Sequence, residues 1–271
     1  MRTRLSALAA LALGGALLIG AVAPVGAASK AMVRVMHASP DAPAVDVYVN
    51  GDVVLSDVPF KAISDYLMLD AGSYDLGIKP AGAAAADPYV LEATDVAVSG
   101  GKAYTVAATG LLANIAFTIL VDDPKAKSDT AKLRVVHFSP DTPAVDVGLK
   151  GQAPADALIK GLEFPKASKY LAVPGDTYDV EVRPAGTDTV ALDLSGTTLE
   201  NGKNYSVFAV GLLQGEPALG VVVAIDGTLP DTATTGTTEG SSPVIPALLV
   251  LAAIAGVGLA FGRRLGSVRA R

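Results

Sequence analysis

The sequence predicts an all-β protein: two tandem immunoglobulin-like antiparallel β-sandwiches, preceded by a signal peptide and followed by a C-terminal transmembrane helix. Three features of the 271 residues carry that expectation. A stretch of about 100 residues, the size of a small domain, is written twice. Within each copy, apolar residues largely recur at every second position, as in strands with one buried face. Turn-forming residues break those runs at spacings of roughly ten residues, the rhythm of a sandwich.

The chain opens with a short basic segment, Met1-Arg-Thr-Arg4, and an apolar stretch from Leu5 to Val22. Pro24 breaks the stretch, and Val25-Gly-Ala27 is a small-x-small cleavage pattern. Residues 1–28 therefore read as a secretory signal peptide. The competing reading is an uncleaved N-terminal anchor, against which the Pro24 break and the small residues argue.

The first β-sandwich is assigned to 31–122, a linker to 123–131 and the second sandwich to 132–226. Val33–Gly51 (VRVMHASPDAPAVDVYVNG) aligns with Leu133–Gly151 (LRVVHFSPDTPAVDVGLKG), and 12 of these 19 positions are identical. Phe60, Tyr66 and Tyr74 find counterparts in Phe164, Tyr170 and Tyr178, and Gly101-Lys-Ala-Tyr104 in Gly202-Lys-Asn-Tyr205. Alternation is clear in Val45-Asp-Val-Tyr-Val49 and Tyr178-Asp-Val-Glu-Val182. Ser39-Pro-Asp41, Asn50-Gly51 and Pro80-Ala-Gly82 are turns. Seven or eight strands per unit are expected, and no amphipathic helix between Ser29 and Asp226. With no Cys and no Trp, each core must come from Val, Leu, Ile, Tyr and Phe.

Residues 227–243 form a Thr-, Gly- and Ser-rich stalk, a composition that buries nothing and acts as a spacer. Val244–Gly262 is apolar, and its 19 residues span about 28 Å as a helix, close to the hydrocarbon thickness of a bilayer. The tail, 263–271, carries Arg263, Arg264, Arg269 and Arg271, which the positive-inside rule keeps in the cytoplasm. Ahead of the helix stands Leu229-Pro-Asp-Thr-Ala233. This resembles a Gram-positive cell-wall sorting signal, an LPxT motif followed by an apolar helix and a basic tail. That resemblance implies recognition of Leu229, Pro230, Asp231, Thr232 and Ala233 by a sortase, with Thr232 joined to peptidoglycan. Ala233 departs from the commonest form, which has Gly. The plain alternative keeps the helix as a membrane anchor. Either way the two units stand outside a cell of Gram-positive type.

The block formed by Arg34, His37, Ser39, Pro40, Asp41, Pro43, Val45 and Asp46 recurs as Arg134, His137, Ser139, Pro140, Asp141, Pro143, Val145 and Asp146. With the Gly-Lys-x-Tyr strand that follows in each unit, it resembles the bacterial family known as domain of unknown function 4397, over about Ala31 to Asp226. The resemblance implies exported β-sandwich modules of bacterial envelopes, often in tandem. It implies no activity, ligand or catalytic residue.

Composition excludes several functions. Between Lys30 and Glu239 lie 15 Lys and Arg against 27 Asp and Glu, a net charge of −12, whereas binding nucleic acid needs a basic face. The lack of Cys removes thiolate metal sites and Cys nucleophiles. His37 and His137 are the two histidines. One reading of their motif is a ligand corner, formed by His37, Asp41 and Asp46 and again by His137, Asp141 and Asp146. The other is a structural turn, in which Ser and Asp bond local backbone N–H groups and His donates to a carbonyl across the bend. The second is favoured, because duplication copies fold residues as readily as sites. No metal or cofactor is expected. Ser39 beside His37 makes no triad, no EF-hand loop occurs, and no G-x-S-x-G occurs. Gly100-Gly101 reads as a turn. Lys102 and Lys203 have no consistent Asn partner for an isopeptide bond. The expected function is that of an envelope-anchored, non-enzymatic surface protein with a structural or adhesion-type role and an unidentified extracellular partner. The alternative is a module that binds a small molecule, glycan or metal at the paired corners.

Overall fold

The computed structural model describes residues 29–227. The expected signal peptide, LPDTA sorting signal, transmembrane helix and basic tail fall outside that range. The first unit contains β1 (Ala31–Ala38), β2 (Val45–Val49), β3 (Asp52–Val58), β4 (Leu67–Leu69), β5 (Gly72–Pro80), β6 (Leu91–Val98), β7 (Ala103–Thr109) and β8 (Ala116–Asp122). The second contains β9 (Ala131–His137), β10 (Val145–Leu149), β11 (Ile159–Leu162), β12 (Leu171–Val173), β13 (Asp176–Pro184), β14 (Leu192–Leu199), β15 (Asn204–Val210) and β16 (Gly220–Ile225). Helix among the described residues is limited to two 3-10 turns, Leu112–Asn114 and Pro154–Asp156. Ala131 opens β9, so the connecting segment is 123–130.

Each unit is a sandwich of two four-stranded sheets, ordered β4-β1-β7-β8 over β3-β2-β5-β6, and β12-β9-β15-β16 over β11-β10-β13-β14. The two orders match strand for strand. The expectation of wholly antiparallel sheets is corrected. β1 runs parallel to β7, from Met32 opposite Ala103 to Ala38 opposite Thr109, and β9 runs parallel to β15. A parallel pair needs a long crossover, and the chain between β1 and β7 supplies one by passing through the facing sheet. The immunoglobulin-like partition is corrected too. There the first two strands share a sheet, whereas here β1 and β2 lie in opposite sheets.

Val33, Val35, Val45, Val47, Leu76, Ile78, Tyr104 and Val106 fill the interior of the first sandwich, and Val135, Val145, Val147 and Val182 that of the second. A further core lies outside both sandwiches. Met36, Ala38 and Ala107 of the first unit pack with Val136, Phe138, Phe208, Val210 and Val222 of the second. The sheets containing β1 and β9 thus meet back to back, and the described chain is a four-layer block. This corrects a third expectation. β1, β7, β9 and β15 are buried on both faces rather than one, so every residue of β7 and β15 is buried.

Candidate functional site

The two HxSPD corners have the same geometry. His37 is 1% exposed. Its Nδ1 accepts the Ser39 N–H at 3.3 Å, and its Nε2 lies 2.9 Å from the Pro43 carbonyl. A ring that accepts at Nδ1 and donates at Nε2 is the neutral Nε2–H tautomer. His137 repeats this with Ser139 N at 3.3 Å and Pro143 O at 3.1 Å. Burial pushes both imidazoles below their ordinary pKa, against a weaker upward pull from the Pro43 and Pro143 carbonyls. Phe60 and Phe164 stand edge-on to the rings, with centroids 6.1 and 6.3 Å away.

The aspartates also turn to backbone. Asp41 accepts the Leu112 N–H at 2.7 Å, and Asp141 accepts Leu213 N–H at 2.7 Å and Gln214 N–H at 2.9 Å. Burial would raise the Asp141 carboxyl, but those N–H groups and the Ser139 hydroxyl outweigh it and hold its pKa below the ordinary value. Asp46 accepts Asp57 N–H at 2.8 Å and Gly82 N–H at 3.1 Å; Asp146 accepts Gly161 N–H at 2.7 Å and Gly186 N–H at 2.8 Å. All four donors sit at left-handed backbone, with φ of 53°, 75°, 59° and 73°. Each carboxylate therefore ties the bulge between β2 and β3, or β10 and β11, to the turn after β5 or β13. The structure gathers His37 with Asp41, and His137 with Asp141, about one bend through Ser39 and Ser139, leaves Asp46 and Asp146 on β2 and β10, and directs all of them to peptide groups rather than into an opening. Among the described residues, no group of three or more His, Asp or Glu side chains is placed to hold a metal.

The largest buried polar cluster lies between the units, where sequence reasoning placed nothing. Arg34 donates from Nε to Thr105 Oγ1 at 2.8 Å, from Nη1 to the Ile225 carbonyl at 3.2 Å and from Nη2 to Asp226 Oδ1 at 2.5 Å. Arg134 does the reciprocal thing. It donates to Ser206 Oγ at 2.7 Å, to the Val121 carbonyl at 3.0 Å and to Asp122. Tyr66 donates to Asp122 at 2.6 Å and Tyr170 to Asp226 at 2.5 Å. Each guanidinium also lies over its own unit's tyrosine ring, at 4.8 and 4.9 Å. The four charged side chains are at most 3% exposed, and their two positive and two negative charges cancel. Burial works against the charged Arg34, but Asp122 and Asp226 outweigh it and hold its pKa above the ordinary value. Burial pushes the Tyr66 and Tyr170 hydroxyls up, which keeps them protonated donors. The available signal was the exact repetition of Arg34 as Arg134 and of Tyr66 as Tyr170.

The remaining candidates find local roles. The Ser39 and Ser139 hydroxyls approach Asp41 and Asp141 rather than a base. Lys203 pairs with Glu200 at the surface. Gly101 sits in a turn at φ 75°. One open groove runs along Leu158–Glu163 of the second unit and another lies beside Asn50, Asp75 and Tyr89 of the first. They occupy non-equivalent places, and neither is lined by a corner residue.

The family model described as "Domain of unknown function (DUF4397)" matches residues 31–148 and 152–237. Strand pairing divides the chain elsewhere, at 123–130. Among solved structures, a candidate cell adhesion protein from Bacteroides ovatus is 10% identical, with 76% of this chain and 100% of that one covered and a TM-score of 0.24. One from Bacteroides eggerthii is 11% identical, with 73% and 96% covered and a TM-score of 0.22. No curated protein matches the chain.

Proposed function

The chain belongs to the domain of unknown function 4397 family, and from that premise we propose that it is an exported, envelope-anchored, non-enzymatic surface protein with a structural or adhesion-type role. The observation that carries this reading is the commitment of polar side chains. The histidines and aspartates selected from sequence serve backbone groups, and the buried charges serve the contact between units. What is left is a shaped block suited to display. The Leu229–Ala233 motif, the apolar run 244–262 and the Arg263–Arg271 tail would attach it, either to peptidoglycan through Thr232 or to the membrane through the helix. Its partner would be extracellular and met by the outer sheets and loops.

Mass spectrometry of wall digests from a sortase-bearing host tests the attachment. A peptide ending at Thr232 and linked to peptidoglycan is the expected product. Detergent-extracted protein that keeps the Arg263–Arg271 tail favours the membrane anchor, and protein found free in the cytoplasm contradicts export. Binding of soluble residues 29–227 to a glycan and matrix-protein array tests the adhesion role. Saturable binding that survives His37→Ala supports it, and stoichiometric metal binding lost with His37→Ala revives the ligand-corner alternative.

A further inference from the structure

The contact between the units is reciprocal in its charges but not in its apolar groups. In a two-fold contact between like surfaces, residue i meets residue j and j meets i. Arg34 on Asp226 and Arg134 on Asp122 follow that rule, so the polar cluster would accept either unit as its partner. The apolar positions around it differ in size. Ala107 stands opposite Met36 in its sheet, and Phe208 stands opposite Val136 at the equivalent place. Ala38 is likewise replaced by Phe138, and the reverse swap occurs on the outermost strands, Leu120 for Ala224. Phe138 and Phe208 are 0% exposed, with ring centroids 5.8 Å apart. They fill space that the first unit leaves open with Ala38 and Ala107.

We propose that each inner face is a docking surface for the other unit alone, and that it rejects a second copy of its own unit. Two first units back to back would set alanine against alanine and leave a void where both phenylalanines belong, which destabilises a contact. Two second units would place four phenylalanines in space that now holds two, and overpacking is equally unfavourable. The cross pair alone fills the layer. Specificity here comes from volume, because the charges do not discriminate. The docking partner is thus the second unit of the same chain, favoured by the short 123–130 connection through high effective concentration. The face would be closed to like units of neighbouring chains.

The test uses residues 29–227 with a protease site inserted at 124–129, cut after folding and followed by native mass spectrometry. The cut halves are expected to stay paired one to one, and homodimers of either half are expected to be absent after prolonged incubation. Ala107→Phe should weaken the pairing by roughly 5- to 150-fold. Because that variant can also unfold the first unit, Ala107→Phe combined with Phe208→Ala is measured beside it. The double variant moves the ring to the opposite face and should pair within roughly tenfold of the wild type. Homodimers as abundant as the cross pair, halves that separate, or a double variant no better than Ala107→Phe alone would each overturn the proposal.

Discussion

The buried charges of the inner face and the packing of the outer face have diverged to different degrees between the two units. On the inner face Arg34, Tyr66 and Asp122 match Arg134, Tyr170 and Asp226 in identity and in partners. On the outer face of β2-β5 and β10-β13 the same job is done by different chemistry. In the first unit Tyr89 folds over Gly77, where a Cβ would lie 2.4 Å from its ring, and Lys79 sits against Tyr48 and Tyr89 at 5.1 and 4.8 Å. In the second unit Glu181 replaces Gly77 and pairs with Arg183. Gly148 replaces Tyr48, and the segment around Ala157 closes in its place, with Ala157 Cα 3.4 Å from where a Cβ would lie. Four extra residues between Gly151 and Phe164, relative to Gly51 and Phe60, make that segment long enough. A charge buried against a fixed partner cannot change alone. Packing on either face can exchange one small–large pair for another.

The largest expected effect is on the inner face. Arg34→Ala or Asp226→Ala leaves a buried charge without its partner and should cost about 3–5 kcal/mol in urea unfolding of residues 29–227. Arg134→Ala and Asp122→Ala should cost the same to within about 1 kcal/mol, because the partners correspond apart from an additional Arg34–Asp122 contact at 3.4 Å. A loss below about 1 kcal/mol, the level of a surface ion pair, would mean that these charges are not held buried between the units. Next come the tied bulges. Asp46→Ala and Asp146→Ala each strand two N–H groups and should cost about 1–3 kcal/mol, with no change in any specific binding. The packing of the outer face follows. Gly77→Glu imports the second unit's residue into the path of the Tyr89 ring and should cost about 1–3 kcal/mol. Adding Tyr89→Val, the second unit's residue there, should recover most of that loss.

The smallest effect is one of pH. His37 and His137 are held neutral by burial, so their folded pKa values lie below the unfolded value of about 6.5. Below about pH 6.5 the unfolded chain therefore binds more protons than the folded one. Their contribution is complete above that pH and is lost as pH falls toward the folded pKa. The slope is at most about 1.4 kcal/mol per pH unit for each histidine. His37→Gln should reduce the slope between about pH 5 and 6.5, measured by thermal melts; an unchanged slope would mean that the ring takes up protons equally in the folded and unfolded chain.

The sandwich interiors were legible because Val33, Val35, Val45 and Val47 alternate. The four-layer packing was not. Arg34 and Thr105 occupy the positions that period two assigns to water, and a polar side chain at such a position is the same letter whether solvent or a second sheet faces it. The late apolar members of that face, Met36 and Phe208, were the trace of a covering layer. The corner's local bonds could be read from Ser-Pro-Asp chemistry, but its distant partners could not. Leu112 lies 71 residues from Asp41 and Gly82 lies 36 from Asp46. Strand direction left no mark at all, since a parallel and an antiparallel neighbour demand the same alternation.

Scanning calorimetry of residues 29–227 tests most directly whether the units are joined through their inner faces into one cooperative block. A layer of buried charges and phenylalanines shared by both units should make them unfold together. One transition is expected, with the calorimetric enthalpy equal to the van't Hoff enthalpy. Two resolved transitions, or a calorimetric enthalpy about twice the van't Hoff value, would show the units unfolding independently and would contradict the account.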